Sequence, residues 1–178
     1  DNSWSFFVNE LNLIPILAPN NEKILDEFLI EMKPDYVILS GGNDVDFPHK
    51  RKAVEQKILK YSINHNLPVV GVCHGMQFLN YYFDGTLIAC TGHVNNYIAL
   101  EGLWAIKRNI SKINSFHDFG INKSSISSQF KPLAWSKDGI IKAFKHKSLP
   151  WLGIMWHPER ELPFKSFDIA LFKDFFNI

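Results

Sequence analysis

The chain of 178 residues lacks several features that would point to particular classes of protein. Its two cysteines are too few for the disulfide framework of a small secreted domain. No stretch approaches the 18 or more apolar residues that a membrane span needs. Lysine and arginine number 19 and aspartate and glutamate 18, so a formal charge of +1 creates no strong surface field. We therefore expect neither nucleic acid nor a membrane as a partner.

Metal-binding patterns and internal repeats are also absent from the sequence. The two cysteines and seven histidines show no C-x-x-C or H-x-x-x-H spacing that would converge on zinc. We therefore expect no metal and no cofactor. Hydrophobic residues make up 46% of the chain, which suffices for a sizeable core, and no linker interrupts it. The sequence thus predicts a single domain over residues 1–178.

Strand and helix patterns alternate in the first half, which is typical of a parallel sheet with helices on both faces. The second half is richer in short strands and closes with a helix from Ser166 onward. The predicted fold is therefore α/β, a doubly wound, mostly parallel sheet with a small β-rich excursion. The predicted strands are residues 13–18, 36–39, 67–72, 86–89, 98–106, 132–135, 140–144 and 151–156, and the earlier helices are Glu22–Met32, Lys50–Asn64 and a short one after Cys73.

The segment Gly-Val-Cys-His-Gly-Met-Gln at residues 71–77 places Cys73 where a buried strand turns abruptly into a helix. Such a turn strains the backbone, needs glycines two positions to either side, and lifts the side chain clear of the sheet. The helix N-terminus favours a thiolate there. Cys73 is thus either a buried structural cysteine or a nucleophile at an exposed elbow. A thiolate enzyme fits a reducing compartment, so we expect a cytoplasmic location.

A second apolar strand, residues 151–156, runs directly into His157, Pro158 and Glu159. Proline cannot extend a sheet ladder, so the strand ends and both polar side chains leave it together. An ordinary strand end has the same pattern. Because α/β sheets place their sites at the carboxyl ends of strands, His157 suits the base for Cys73, and Glu159 suits the group that orients it.

A third strand, residues 36–39, ends in Ser40 and a pair of glycines at 41 and 42. A Gly-Gly turn can serve without any ligand. Acyl transfer, however, needs backbone N–H donors aimed at the developing oxyanion. Gly42 could supply one donor, and His74, which follows the nucleophile, could supply the other.

In this order, the three segments resemble the class I glutamine amidotransferase family, and more closely its γ-glutamyl hydrolase branch. The resemblance extends to Asn114-Ser115-Phe116-His117 and covers nearly the whole chain from about Phe6. It implies a Cys-His-Glu triad and hydrolysis of a γ-glutamyl amide through a thioester. It also implies that the substrate-binding residues are Gly41, Arg51, Gln77, Asn114, Ser115 and His117. Lys52 departs from the acidic residue usual beside Arg51, while Glu55 keeps the usual glutamate.

Several alternatives stay open at this point. Gln77 and His117 could be a solvated helix residue and a loop histidine instead. The basic run at residues 49–52 is either a solvated helix turn or a site for an anionic substrate group. The chain also resembles small bacterial hydrolases of γ-glutamyl nucleotide amides of the CDP-amidate type, which act in capsule modification. In that case Lys50 or Arg51 should face phosphate near Cys73.

The same resemblance leaves the biological context open. The chain could be a stand-alone hydrolase, a glutaminase subunit that passes ammonia to a partner synthetase, or a non-catalytic binding module of the same fold. A homodimer is a further expectation. The family's sheet begins with a central strand before the helix near residues 4–11, and we expect that strand to lie upstream of the printed residues.

Overall fold

The computed structural model describes residues 2–42 and 50–178 of the chain. A five-stranded sheet in the order β1-β2-β9-β8-β7 forms its centre. The first three strands in this order are parallel, β8 runs antiparallel to β9, and β7 runs antiparallel to β8. The α/β class is therefore confirmed, although the central sheet is mixed. Its strands are β1 (Val37–Leu39), β2 (Val69–Val72), β7 (Phe130–Trp135), β8 (Ile141–His146) and β9 (Trp151–Ile154).

Helices cover both faces of the sheet, as expected for a doubly wound arrangement. The apolar side chains of α2, α3 and α4 pack on one face, and those of α1, α5 and α6 pack on the other. None of the helices in the described part of the chain is long and apolar enough to cross a bilayer. The helices are α1 (Ser3–Glu10), α2 (Glu22–Met32), α3 (Lys50–Asn64), α4 (His74–Tyr82), α5 (Leu103–Lys107) and α6 (Ser166–Phe176), with a 3₁₀ turn at Pro158–Arg160.

Two small antiparallel ribbons form the β-rich excursion predicted for the second half. The first pairs β3 (Ile88–Ala89) with β6 (Phe119–Gly120), and the second pairs β4 (Asn96–Ala99) with β5 (Lys112–Ser115). The predicted strand at 98–106 is wrong in its second part, because a glycine at 102 with φ of 112° turns the chain into α5. The ribbons extend beside the carboxyl ends of β2 and β9.

The strand predicted at residues 13–18 is also wrong, since that segment is irregular. A groove of about 350 Å³ separates residues 16–18 from residues 36–40, which include β1. A sheet ladder needs strands about 4.8 Å apart, so the apolar pattern alone cannot make this segment a strand. The parallel strands β1, β2 and β9 nevertheless end at one edge, and all three candidate segments meet there.

Candidate active site

Cys73 lies at the turn between β2 and α4, in a strained backbone conformation. Its φ of 51° and ψ of −104° form a combination that residues other than glycine rarely adopt. Its N–H donates to the Ile154 carbonyl at 2.8 Å, which ties the elbow to β9. A Cβ added to Gly71 would lie 2.6 Å from the Gly75 backbone. The flanking glycines therefore provide the clearance that the sequence predicted.

The Cys73 side chain is less accessible than predicted. The sequence suggested an exposed elbow tip, but only 6% of the residue is exposed. His157, which is itself 2% exposed, forms a hydrogen bond with the thiol. The prediction of an exposed thiol is therefore wrong, and any substrate must reach a recessed sulfur.

His157 stands between Cys73 and Glu159. Its Nδ1 donates to Glu159 Oε1 at 2.7 Å, while the ring also hydrogen-bonds to Cys73. Within the described chain, the second Glu159 carboxylate oxygen is buried and has no hydrogen-bond partner. The structure thus links a thiol, an imidazole and a carboxylate in the order predicted for a cysteine triad.

The charge state of His157 follows from these contacts. Burial lowers the pKa of His157, but hydrogen bonds and negative charge from Cys73 and Glu159 outweigh it and raise the pKa to about 9. At neutral pH the ring is therefore an imidazolium. A thiolate on Cys73 would be its natural partner.

Two residues predicted to bind substrate hold the base in place. Asn114 accepts the His157 N–H at 2.8 Å and donates to the His157 carbonyl at 2.8 Å. Gly41 packs so closely on the ring that an added Cβ would lie 2.6 Å from His157 Cε1. Contacts of Asn114 and Gly41 with substrate remain predictions. Their observed contacts fix the imidazole.

Arg51 contacts the loop of residues 40–42, which contains both glycines. Its Nη1 and Nη2 donate to the carbonyls of Gly41 at 2.9 Å and Ser40 at 2.7 Å, and its guanidinium packs on Gly42. Its Nε donates to Glu55 at 2.8 Å. Each guanidinium nitrogen thus already has a protein acceptor, so a role of Arg51 in binding substrate remains a prediction. The side chain of Lys50 lies outside the described residues.

Glu55 connects this loop to the elbow. The Glu55 carboxylate is nearly fully buried, and while Oε1 accepts from Arg51, Oε2 lies 3.0 Å from His74 Nε2. One carboxylate therefore bridges the two segments predicted to donate to an oxyanion, Gly42 and His74. We call Arg51, Glu55 and His74 the Glu55 cluster. Their contacts fix the spacing between the two backbone donors.

Gln77 and His117 meet on the opposite side of the site. Gln77 Nε2 donates to the Phe119 carbonyl at 2.8 Å, and His117 Nδ1 donates to the same oxygen at 2.9 Å. Ser115 is fully buried, and in the described chain its hydroxyl has no hydrogen-bond partner. Glutamyl binding by these three residues stays a prediction, although the structure brings two of them onto one carbonyl.

Sequence reasoning missed a buried lysine behind His117. Lys142 Nζ lies 2.7 Å from His117 Nε2 and 2.9 Å from His93 Nδ1, and it is fully buried. His93 Nε2 in turn donates to Asp138 at 2.7 Å. We call Asp138, His93, Lys142 and His117 the Lys142 cluster. The available signal was a charged residue at 142 inside an otherwise apolar strand pattern.

Across residues 2–42 and 50–178, no group of three or more histidine, cysteine, aspartate or glutamate side chains could hold a metal ion. The site is therefore described by its thiol, imidazoles, carboxylates and backbone donors.

Comparison with known proteins identifies relatives of the chain. The family pattern of glutamine amidotransferase class-I matches residues 8–177. The chain is 34% identical over 148 residues to a gamma-glutamyl-CDP-amidate hydrolase of Campylobacter jejuni, and the match covers 80% of this chain and 70% of that protein. It is 28% identical over 155 residues to a glutamine-hydrolyzing GMP synthase subunit of Thermococcus kodakarensis, covering 84% of this chain and 76% of that protein.

The fold has a similarly close counterpart among solved structures. A GMP synthase subunit of Thermoplasma acidophilum superposes with a TM-score of 0.77. The match covers 98% of this chain and 85% of that chain, at 21% sequence identity. This likeness concerns the fold alone.

Proposed function

Because the chain belongs to the glutamine amidotransferase class-I family, we propose that it hydrolyses a γ-glutamyl amide through a thioester on Cys73. The observation that carries the proposal is the hydrogen-bonded series Cys73, His157 and Glu159 at a strained elbow. The leaving group we propose is an amine linked to a nucleotide, because the C. jejuni relative is named a gamma-glutamyl-CDP-amidate hydrolase.

In the first half-reaction the Cys73 thiolate attacks the γ-carbonyl carbon and forms a tetrahedral intermediate. The backbone N–H groups of Gly42 and His74 stabilise its oxyanion. The C–N bond then breaks, and the His157 imidazolium gives its proton to the leaving amine. A γ-glutamyl thioester and a neutral imidazole remain.

The charge balance of His157 favours the second half-reaction. Once the sulfur is acylated, Cys73 no longer carries the negative charge that helps to raise the pKa of His157. The ring can therefore stay neutral and accept a proton from water as that water attacks the thioester. Glutamate leaves, and the proton on His157 restores the resting pair with the Cys73 thiolate.

A glutamine analogue that carries a diazo-ketone tests the nucleophile. We expect one covalent adduct, located by mass spectrometry on the peptide that contains Cys73, and none in Cys73→Ser. The peptide with Cys90 is the internal control, since that thiol is partly buried and its pKa is raised by burial. An unmodified Cys73 under conditions that label a known amidotransferase would overturn the mechanism.

A comparison of leaving groups tests the substrate class. We expect faster turnover of a γ-glutamyl nucleotide amide than of glutamine or a γ-glutamyl-alkylamine, with a salt dependence that is specific to the charged substrate. Equal rates on all three, independent of salt, would exclude recognition of an anionic leaving group.

The second candidate function is a glutaminase subunit that supplies ammonia to a synthetase. It is favoured by the similarity to the glutamine-hydrolyzing GMP synthase subunit of T. kodakarensis. This function predicts low glutaminase activity of the purified chain and a large increase on addition of its partner. The hydrolase function predicts full activity of the chain alone, so one assay with and without cell extract separates the two. A non-catalytic module would show neither activity.

A further inference from the structure

The environment of Lys142 differs from that of every other charged side chain described near the proposed site. Lys142 is fully buried, and its ammonium contacts two imidazoles rather than a carboxylate. His93 Nε2 donates to Asp138, and His117 Nδ1 donates to the Phe119 carbonyl. The remaining ring nitrogens must therefore accept from Lys142. His117 is held neutral, and the lysine beside it carries the positive charge.

A local irregularity of β8 places the lysine in this position. Ala134 of β7 pairs with Ala143, and the next residue, Trp135, pairs with Ile141. Lys142 is thus the extra residue of a β-bulge. Bulges re-aim side chains and are frequent beside active sites. Ile141 on one side of Lys142 packs in the core layer of α4, the helix whose N-terminus carries Cys73.

The backbone ties the lysine to the elbow through two hydrogen bonds. The Lys142 carbonyl accepts the Met155 N–H at 2.9 Å, and the adjacent Ile154 carbonyl accepts the Cys73 N–H at 2.8 Å. Strands lie about 4.8 Å apart, so the backbones of Lys142 and Cys73 are separated by roughly 10 Å across the sheet. Electrostatic interaction persists over this distance in a site that excludes water.

We propose that Lys142 is a positioning residue, a buried cation aimed by the β8 bulge that favours the thiolate form of Cys73. The proposal rests on the assignment of Cys73 as the nucleophile. The reacting proton still moves between Cys73 and His157. Lys142 contributes a fixed positive charge that does not take part in proton transfer.

The titration behaviour of the cluster is consistent with this role. Burial lowers the pKa of Lys142 to about 8, while negative charges on Cys90, Asp138 and Cys73 act in the opposite direction. The lysine is therefore mostly charged at neutral pH. Burial and the lysine charge lower the pKa of His117 to about 3, which keeps that ring neutral. His157 also titrates beside Cys73, and Glu159 contacts the far side of its ring.

Lys142→Gln separates charge from hydrogen bonding, because the amide nitrogen keeps two N–H donors for His93 and His117. We measure the rate of Cys73 alkylation by iodoacetamide from pH 5 to pH 10, resolved by peptide mass spectrometry. We expect the variant to react about 3- to 10-fold more slowly at pH 7, with the midpoint of the profile shifted upward. Lys145→Gln, at an exposed lysine on the same strand, is the matched control and should overlay the wild type.

A second measurement leaves the cluster intact, in case Lys142→Gln fails to fold. Electrostatic coupling is reciprocal. If Lys142 favours the thiolate of Cys73, removal of that thiolate must lower the pKa of Lys142 by the same amount. In ¹³Cε-lysine NMR spectra, the signal that titrates near pH 8 should shift to lower pH in Cys73→Ser. An unchanged lysine titration, or an alkylation profile of Lys142→Gln that overlays the wild type, would overturn the proposal. Both readouts omit γ-glutamyl substrates, so they stand even if the proposed function fails.

Discussion

Two clusters of buried charged groups flank Cys73, and they are built in opposite ways. The Glu55 cluster places a carboxylate at its centre, between a guanidinium and an imidazole. The Lys142 cluster places a cation at its centre, between two imidazoles. In the first, the neighbouring cation neutralises the central charge directly. In the second, the Asp138 carboxylate contacts His93 rather than Lys142.

This difference has a physical consequence. An ion pair whose charges cancel at short range exerts little field at a distance, so its main effect is to fix geometry through directed hydrogen bonds. The Glu55 cluster accordingly binds backbone carbonyls of the glycine loop. A cation that contacts imidazoles rather than a carboxylate keeps more of its field at a distance. We therefore assign geometry of the oxyanion donors to the Glu55 cluster and charge at the sulfur to the Lys142 cluster.

The largest expected effect is on turnover, and it comes from removal of the Cys73 thiol, which lies between the two clusters. Cys73→Ala should lower turnover on the order of 10⁴-fold or more, by analogy with loss of a triad nucleophile. The change removes only a small side chain, so we expect the thermal unfolding midpoint to stay within a few degrees of the wild type. Steady-state kinetics and circular dichroism measure the two quantities.

A substantial residual rate in folded Cys73→Ala would exclude the thioester mechanism. Cys90→Ala is the matched control, and we expect it to retain turnover because that thiol lies 3.5 Å from His117 rather than at the elbow.

Glu55→Gln tests whether the first cluster acts on geometry. The substitution keeps the shape but removes the charge that pairs with Arg51 and His74. We expect kcat to fall about 10²-fold, comparable to loss of one oxyanion donor. Alkylation of Cys73 by iodoacetamide forms no oxyanion and should remain within about twofold of the wild type. Measuring kcat and the alkylation rate on one protein preparation therefore distinguishes an effect on the proposed oxyanion hole from an effect on the reactivity of Cys73.

The same variant should also be less stable, by about 2 kcal/mol, because hydrogen bonds to a buried charge are lost. Asp26→Asn is the control, since it breaks the exposed pair of Asp26 with Lys57 and should cost less than about 1 kcal/mol. If Glu55→Gln slows alkylation as much as turnover, the two clusters do not differ in the way proposed.

The two clusters also differ in how far the sequence predicts them. Arg51, Glu55 and His74 lie on α3 and at the start of α4, both helix positions that periodicity and the glycine-flanked elbow indicate. The three residues of the proposed triad likewise follow strands whose ends can be located from apolar runs and a proline. Lys142, His93 and His117 come together only through a bulge and two short ribbons. Neither the bulge nor the ribbons have a periodic signature, since both depend on pairing between distant segments.

The irregular segment at residues 13–18 shows that a local strand pattern can also predict a strand that does not form. Its apolar residues suit a strand, yet strand formation depends on a neighbour at hydrogen-bonding distance, and a groove separates it from β1. Local pattern therefore predicted α2 and α3 at their observed bounds but failed where tertiary pairing decides. The functional consequence is that the orienting contacts around His157 could be assigned to residues only in three dimensions.

The smallest expected effect concerns stability at acid pH and sharpens the contrast between the imidazoles. Burial and the charge of Lys142 lower the pKa of His117 to about 3, from an ordinary value of 6.5. Below pH 6.5 the unfolded chain therefore binds a proton at His117 that the folded chain does not bind, and the protein loses stability as the pH falls. Between pH 6.5 and pH 5 this loss should be about 2 kcal/mol.

His157, whose pKa is raised to about 9, contributes the opposite dependence, since its stabilisation is complete below pH 6.5 and disappears as the pH rises through 9. Urea unfolding of the wild type, His117→Asn and the exposed control His65→Asn at pH 5, 6 and 7 measures the difference. We expect that only His117→Asn reduces the loss of unfolding free energy between pH 7 and pH 5. If this variant loses as much unfolding free energy as the wild type, His117 is not held neutral by the Lys142 cluster.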